Sequence, residues 1–124
     1  MADRRGDFDR RGDFGRRGED AACAYLLRHG YSIVERNYRC RRGEIDIIAA
    51  KDGGAVFVEV KTRRSLKFGT PGMAVTYAKQ QKIRTTALHY LQQCGGGYNK
   101  IAFDVIEIVA DDGKAKLRHL QNCF

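Results

Sequence analysis

Two stretches near the middle of the chain alternate with a period of two. Residues 44–50 place Ile45, Ile47 and Ala49 on one face and Glu44, Asp46 and Ile48 on the other. Residues 55–61 place Val56, Val58 and Val60 opposite Phe57, Glu59 and Lys61. That period predicts two strands. Asp52-Gly53 between them predicts a type I′ hairpin turn, whose two central residues both take positive φ. Tyr31 to Arg39 reads as an earlier strand with Ile33 and Val34 as its apolar residues, KIAFDVIEIV at 100–109 as a later one, and Ala115–Leu120 as a final edge strand. Two stretches carry the helical period instead. In residues 17–29, Ala22, Cys23, Leu26 and Leu27 form the expected buried side, and Gly30 is a natural stop. In residues 76–94 the expected stripe is Ile83, Ala87, Leu88, Leu91 and Cys94, ended by Gly95-Gly96-Gly97.

The hairpin turn sets a register. With a two-residue loop, Lys51 pairs with Gly54, Asp46 falls opposite Glu59, and Glu44 falls opposite Lys61. A slip of one residue would move charges onto the apolar face, so the alternation specifies this pairing. Two carboxylates then face each other across the strands with Cβ atoms about 4.5–5.5 Å apart. Bare like charges so placed destabilise a sheet, so a positive partner is expected: Lys61, an arginine or a divalent cation. A hard cation such as Mg²⁺ takes oxygen ligands and keeps several waters, which suits one or two carboxylates on an open strand face.

Length and charge narrow the picture. A chain of 124 residues is one domain. Residues 16–124 are expected to hold the fold, burying roughly 65% of their unfolded surface without a disulfide or structural metal. Residues 1–15 carry DRRGDF repeats with little to bury and read as a disordered tail. Lys plus Arg number 23 against 15 acids, a net charge of +8. Such an excess points to a polyanion, most often nucleic acid. The four scattered cysteines show no CxxC or Cys/His spacing for zinc, and Cys23 and Cys94 read as small buried apolar residues. With no signal peptide and no long apolar run, a reduced, cytoplasmic location and no membrane role are expected.

Several residues stand out as chemistry. Glu19 projects from the edge of the first helix's apolar stripe, either as an acid favoured by the helix N-terminus or as a third carboxylate reaching toward the hairpin. Arg41 and Arg42 in the first turn suit phosphate contact, as do Arg63, Arg64 and Lys67 in the loop after the Lys61 strand, where Phe68 offers a stacking platform or a core anchor. Lys79 and Lys82 begin the main helix, where cations oppose the dipole unless a phosphate relieves them. Asp104 interrupts an apolar face and calls for a partner, with an arginine the first expectation. His89 reads as structural and His119 as incidental.

The order Asp46, then Glu59-Val60-Lys61, resembles the D…E-x-K pattern of the PD-(D/E)XK nuclease superfamily. The wider run of GRRGEDAA, GYSIVERNYRCRRGEIDIIA, VFVEVKTRR and FDVI resembles the YraN-like family of small bacterial proteins within it, over about residues 15–124. That resemblance implies an α/β, restriction-endonuclease-like fold: an αβββαβ core with a central mixed sheet flanked by helices. It implies a Mg²⁺- or Mn²⁺-dependent endonuclease acting on DNA of branched or otherwise particular structure. Asp46 and Glu59 would hold the metal. Glu19 would complete the site, as resolvase-like members use an acid on the first helix. Lys61 would orient or deprotonate water, or balance transition-state charge. The chain departs from the family at Met73, where an acid is common, and at its Asn122-Cys123-Phe124 end. Two other classes stay open: a non-catalytic nucleic-acid-binding module acting with a DNA-processing partner, and a protein-interaction domain. The edge strand at 115–120 would suit a homodimer.

Overall fold

The computed structural model describes the backbone of residues 2–64, 75–111 and 113–124, and the side chains of residues 15–64, 75–110 and 113–124. Lys67, Phe68 and Met73 lie outside these residues. The elements run α1 (Ala2–Arg28), β1 (Ser32–Cys40), β2 (Gly43–Lys51), β3 (Gly54–Arg63), α2 (Tyr77–Cys94), β4 (Ile101–Asp111) and β5 (Lys114–Leu120). The helix expected from residue 17 begins at Ala2 and takes in the six-residue repeats. It ends as its sequence requires: Gly30 sits at φ 87°, and the Tyr31 N–H donates to the Leu26 carbonyl at 3.0 Å.

The five strands lie in the order β1-β2-β3-β4-β5, antiparallel except for β3 and β4, which run parallel. A parallel pair needs a long crossover, and α2 supplies it. This is a mixed αβββαβ core extended by β5. The β2–β3 turn has Asp52 at φ 52° and Gly53 at φ 80°, and every pair from Lys51↔Gly54 to Ile47↔Val58 keeps the expected register.

One sheet face packs on α1 through Ala22, Cys23 and Leu26 against Ile47, Ala49, Val56, Val58, Ile106 and Ile108. The other packs on α2 through Ile83, Ala87 and Tyr90 against Ile45, Ile48, Ala55, Phe57 and Val105. Phe57 is fully buried, stacked 5.5 Å from Phe103 and edge-on to Tyr90 at 6.1 Å. Such ring pairs add about 0.5–1.5 kcal/mol beyond the area they bury. Phe124 continues the stack at 5.4 Å from Phe103, so the chain end packs on the body.

Four core expectations change. Leu27 is 57% exposed and Leu88 56% exposed. Cys94 is exposed too. The buried α2 stripe is Ile83, Thr86, Ala87 and Tyr90. It was hidden because two members carry hydroxyls; Thr86 satisfies its own by donating to the Lys82 carbonyl at 2.7 Å. Finally, Ile45 does not share a face with Ile47 and Ala49. It belongs to the α2 side, so β2 changes face around Asp46.

Candidate active site

That change of face has a visible cause. The β1–β2 pairs step from Arg36↔Ile47 to Tyr38↔Ile45, passing over Asn37 and Asp46. Asn37 sits at φ 54°, a left-handed conformation that asparagine tolerates better than most residues. On the other side, the β2–β3 pairs end at Ile47↔Val58, one step short of Asp46 and Glu59. In place of a backbone carbonyl, Asp46 Oδ2 accepts the Val60 N–H at 2.8 Å. The sheet therefore opens around Asp46, and its side chain plugs the gap. Such backbone departures in an otherwise regular sheet cluster at functional sites.

The opening brings charges together on the α2 side. The Asp46 and Glu59 carboxyls stand within hydrogen-bond reach of each other. Glu59 is buried, and its Oε1 lies 3.4 Å from Lys79 Nζ, which α2 carries in its first turn. Lys61 follows two residues after Glu59 on the same face, within hydrogen-bond reach of Lys79. The positive partner expected for the carboxylates is thus a helical lysine from across the site. Lys79 was expected to contact nucleic acid; it faces Glu59.

This packing shifts protonation. Burial, the hydrogen bond that a protonated Asp46 can donate to Glu59 and the charge of Glu59 push Asp46 up to about 7, against the opposing pull of the Val60 N–H and Lys79. Two carboxyls this close do not both ionise readily. Burial lowers the Lys61 amine below the ordinary lysine range, helped by Lys79 and opposed by Glu59 and Asp46. Burial also works against Lys79, but Lys61 and the two carboxyls outweigh it and hold Lys79 above its ordinary value.

Glu19 sits on the α1 layer, where its Oε1 is buried without a hydrogen bond and lies 3.6 Å from Arg36. Among the described residues its ion-pair partner is Arg36, which also takes Asp20 at 2.8 Å. Glu19 is therefore not gathered with Asp46 and Glu59. Among the described residues, no group of three or more His, Cys, Asp or Glu is arranged to hold a metal. Asp46 and Glu59 alone fit a hard cation that keeps most of its water, since each offers carboxylate oxygens and they already stand within hydrogen-bond reach of each other.

The expected backbone-gripping residues divide. Arg41, Arg42 and Lys82 are exposed, and the β1–β2 turn touches α2 where a Cβ on Gly43 would come 2.9 Å from Thr86 Oγ1. The same Cβ would lie 3.9 Å from Lys82 Cβ, so the turn that carries Arg41 and Arg42 runs against the part of α2 that carries Lys82. Arg64 is exposed. Arg63 bridges to Glu107 at 2.9 Å. Glu107 is wholly buried and is the register partner of Lys61 across the parallel β3–β4 pair. Its place beside the site was missed, because the parallel register depends on how α2 crosses over. A lone acid in VIEIV was the available signal.

Asp104 finds a histidine rather than an arginine. Its Oδ2 meets His119 Nε2 at 2.7 Å, and its Oδ1 accepts the Asn122 N–H at 2.8 Å. His119 Nδ1 lies 3.0 Å from the Tyr25 hydroxyl. His119 is thus no incidental edge residue: it ties β5 to β4 and α1. The antiparallel pairing Ile106↔His119 puts the ring on the Asp104 face, which the sequence could not place without the β4–β5 register. His89 is structural as expected, with Nδ1 2.7 Å from the Tyr38 hydroxyl.

Among the described residues no helix is long and apolar enough to cross a membrane. The profile of a family described as "Uncharacterised protein family UPF0102" matches residues 18–108. A UPF0102 protein of Syntrophomonas wolfei is 45% identical over 106 residues, covering 86% of this chain and 92% of that one. One of Symbiobacterium thermophilum is 48% identical over 107 residues, covering 86% and 91%. One of Chlorobium phaeobacteroides is 53% identical over 91 residues, covering 73% and 72%.

Proposed function

The chain belongs to the UPF0102 (YraN-like) family, of the restriction-endonuclease-like superfamily, and we propose that it is a metal-dependent endonuclease that hydrolyses phosphodiester bonds in DNA. The observation that carries this reading is the pair Asp46 and Glu59, joined in an opening of the sheet, with Lys61 and Lys79 beside them. Burial there costs free energy that a merely structural strand end would not incur, and perturbed groups gathered in an opening are a mark of catalytic sites.

In this reading the site residues divide the work. Asp46 and Glu59 would hold a Mg²⁺ or Mn²⁺ ion, which would supply Lewis-acid polarisation of a phosphoryl oxygen. The Val60 N–H keeps Asp46 aimed. Lys61, whose proton affinity burial lowers, stands beside the pair to orient the attacking water or to balance charge in the transition state. Arg41, Arg42 and Lys82 grip the phosphate backbone, and such contacts carry no base information. Selection of substrate then rests on DNA structure. Glu19 lies outside this set of roles, on α1 with Arg36.

A second reading has its own support. Glu59 is already neutralised by Lys79, and a self-satisfied charge cluster serves a non-catalytic DNA-binding module equally well. A labelled panel of duplex, single strand, flap and four-way junction separates the two, incubated with Mg²⁺, Mn²⁺ or EDTA. Cleavage that needs metal and vanishes in Glu59→Gln, with that variant still folded and still binding, supports the nuclease. Tight binding with no cuts under any condition overturns it in favour of the binding module.

A further inference from the structure

Lys79 occupies an unusual place for a lysine. It lies in the first turn of α2, which holds no acidic residue, and its own N–H is capped by Thr76 Oγ1 at 3.2 Å. The positive end of the helix dipole disfavours an ammonium there. Lys61 is a second amine within hydrogen-bond reach. What holds Lys79 in place is the carboxylate of Glu59 at 3.4 Å. Its side chain is 41% exposed, whereas that of Glu59 is 8% exposed, so the ammonium stands at the mouth of the site on a flexible four-carbon stem.

We propose that Lys79 is a resident counter-ion that a divalent cation displaces from Glu59, and that the freed ammonium then grips a phosphate of the bound nucleic acid. This rests on the nuclease reading above. A cation seated between Asp46 and Glu59 adds two positive charges beside Lys79, Lys61 and the helix end. Lys79, whose side chain is 41% exposed and reaches Glu59 from across the site, moves out. Its first contact there is the polyanion that Arg41, Arg42 and Lys82 already attract. Metal loading and backbone grip are thereby coupled through one side chain, and nucleic acid in turn favours the loaded state, since such coupling is reciprocal.

The test is Mn²⁺ binding by titration calorimetry, without nucleic acid, for the wild type, Lys79→Met and Lys116→Met. Methionine keeps the length of the stem and removes the charge. Lys116 is exposed on the β5 edge and controls for net charge alone. Removing a competing charge at this range tightens Mn²⁺ binding by about tenfold in Lys79→Met, while Lys116→Met stays within about twofold of wild type. A second readout uses a hydrolysis-resistant phosphorothioate duplex. The log–log salt slope of Lys79→Met falls short of wild type by about 0.9 with Mn²⁺ present and matches it in EDTA. A merely structural lysine would move neither quantity in this way. Equal or weaker Mn²⁺ binding by a folded Lys79→Met overturns the proposal. A difference in salt slope that persists in EDTA also overturns it, because Lys79 would then contact phosphate without being released. If none of the three proteins binds Mn²⁺ at all, the metal-dependent reading itself fails, and the inference falls with it.

Discussion

Asp46→Asn makes the opening of the sheet measurable. The Asn side-chain oxygen still accepts the Val60 N–H, and its NH₂ donates to Glu59 as the protonated Asp46 carboxyl does. The substitution therefore copies the protonated form at every pH. In the native fold Asp46 is held near 7 rather than 3.8, with Glu59, Lys61, Lys79 and the Val60 N–H as the groups facing it. A carboxyl whose folded pKa is raised favours the fold below its unfolded pKa and loses that advantage as pH rises through the folded value. Each tenfold change in proton affinity is about 1.4 kcal/mol, so ionising Asp46 in the fold costs up to about 4 kcal/mol more than in the unfolded chain. Asp46→Asn escapes that cost. Urea unfolding in EDTA should show the variant more stable than wild type at pH 8, with the midpoint higher by about 2 M for a domain of this size. At pH 5 the gap should shrink to less than half, because Asp46 then keeps its proton in the fold. The widening should stop above pH 7–8. A gap that does not change with pH would refute the reasoning, as would a wild type more stable than the variant at pH 8. Either result would mean that Asp46 is ionised in the fold and satisfied by Lys79 and Val60. The same variant should lose metal-dependent cleavage while gaining stability, since the charge that strains the sheet is the one that would ligate the metal.

Two further outcomes follow from the same geometry. His119→Ala leaves the buried Asp104 with only the Asn122 N–H, which should cost about 3 kcal/mol and lower the thermal midpoint by about 10 °C in a scanning melt; an unchanged melt would mean that water replaces the ring. Replacing Arg41 and Arg42 together by Glu should weaken duplex binding equally across sequences and reduce the salt slope by about two phosphates' worth, roughly 1.8. A sequence-dependent loss in a fluorescence-anisotropy series would instead show that these residues read bases.

Much of the architecture was legible because its causes are local. Alternation made the strands, and Asp52-Gly53 made the turn that set the β2–β3 register. That register alone points to Asp46 and Glu59 as neighbours across the strands. Gly30 and Gly95 marked helix ends because left-handed termini favour glycine. Where local rules misled, a neighbour had overridden them. Thr86 and Tyr90 are buried because their polar atoms are satisfied or placed at the margin, while Leu88 faces out on the opposite side of α2. Ile45 left its expected face because the strand turns at Asp46, opposite the left-handed Asn37.

What the sequence by itself determined is the hairpin, the order of helices and strands, the acidic pair and the cationic excess. All of these depend on residues within a few positions of one another or on composition. Only the tertiary structure decided that Lys79 faces Glu59, that Glu107 lies beside Lys61, that His119 partners Asp104 and that Glu19 stays with Arg36 on the far layer. Each of those contacts joins segments brought together by a helix crossover, a strand edge or the opposite face of the sheet. Side-chain period and turn chemistry say nothing about which distant segments meet, because that choice is made by packing two helices on one twisted sheet.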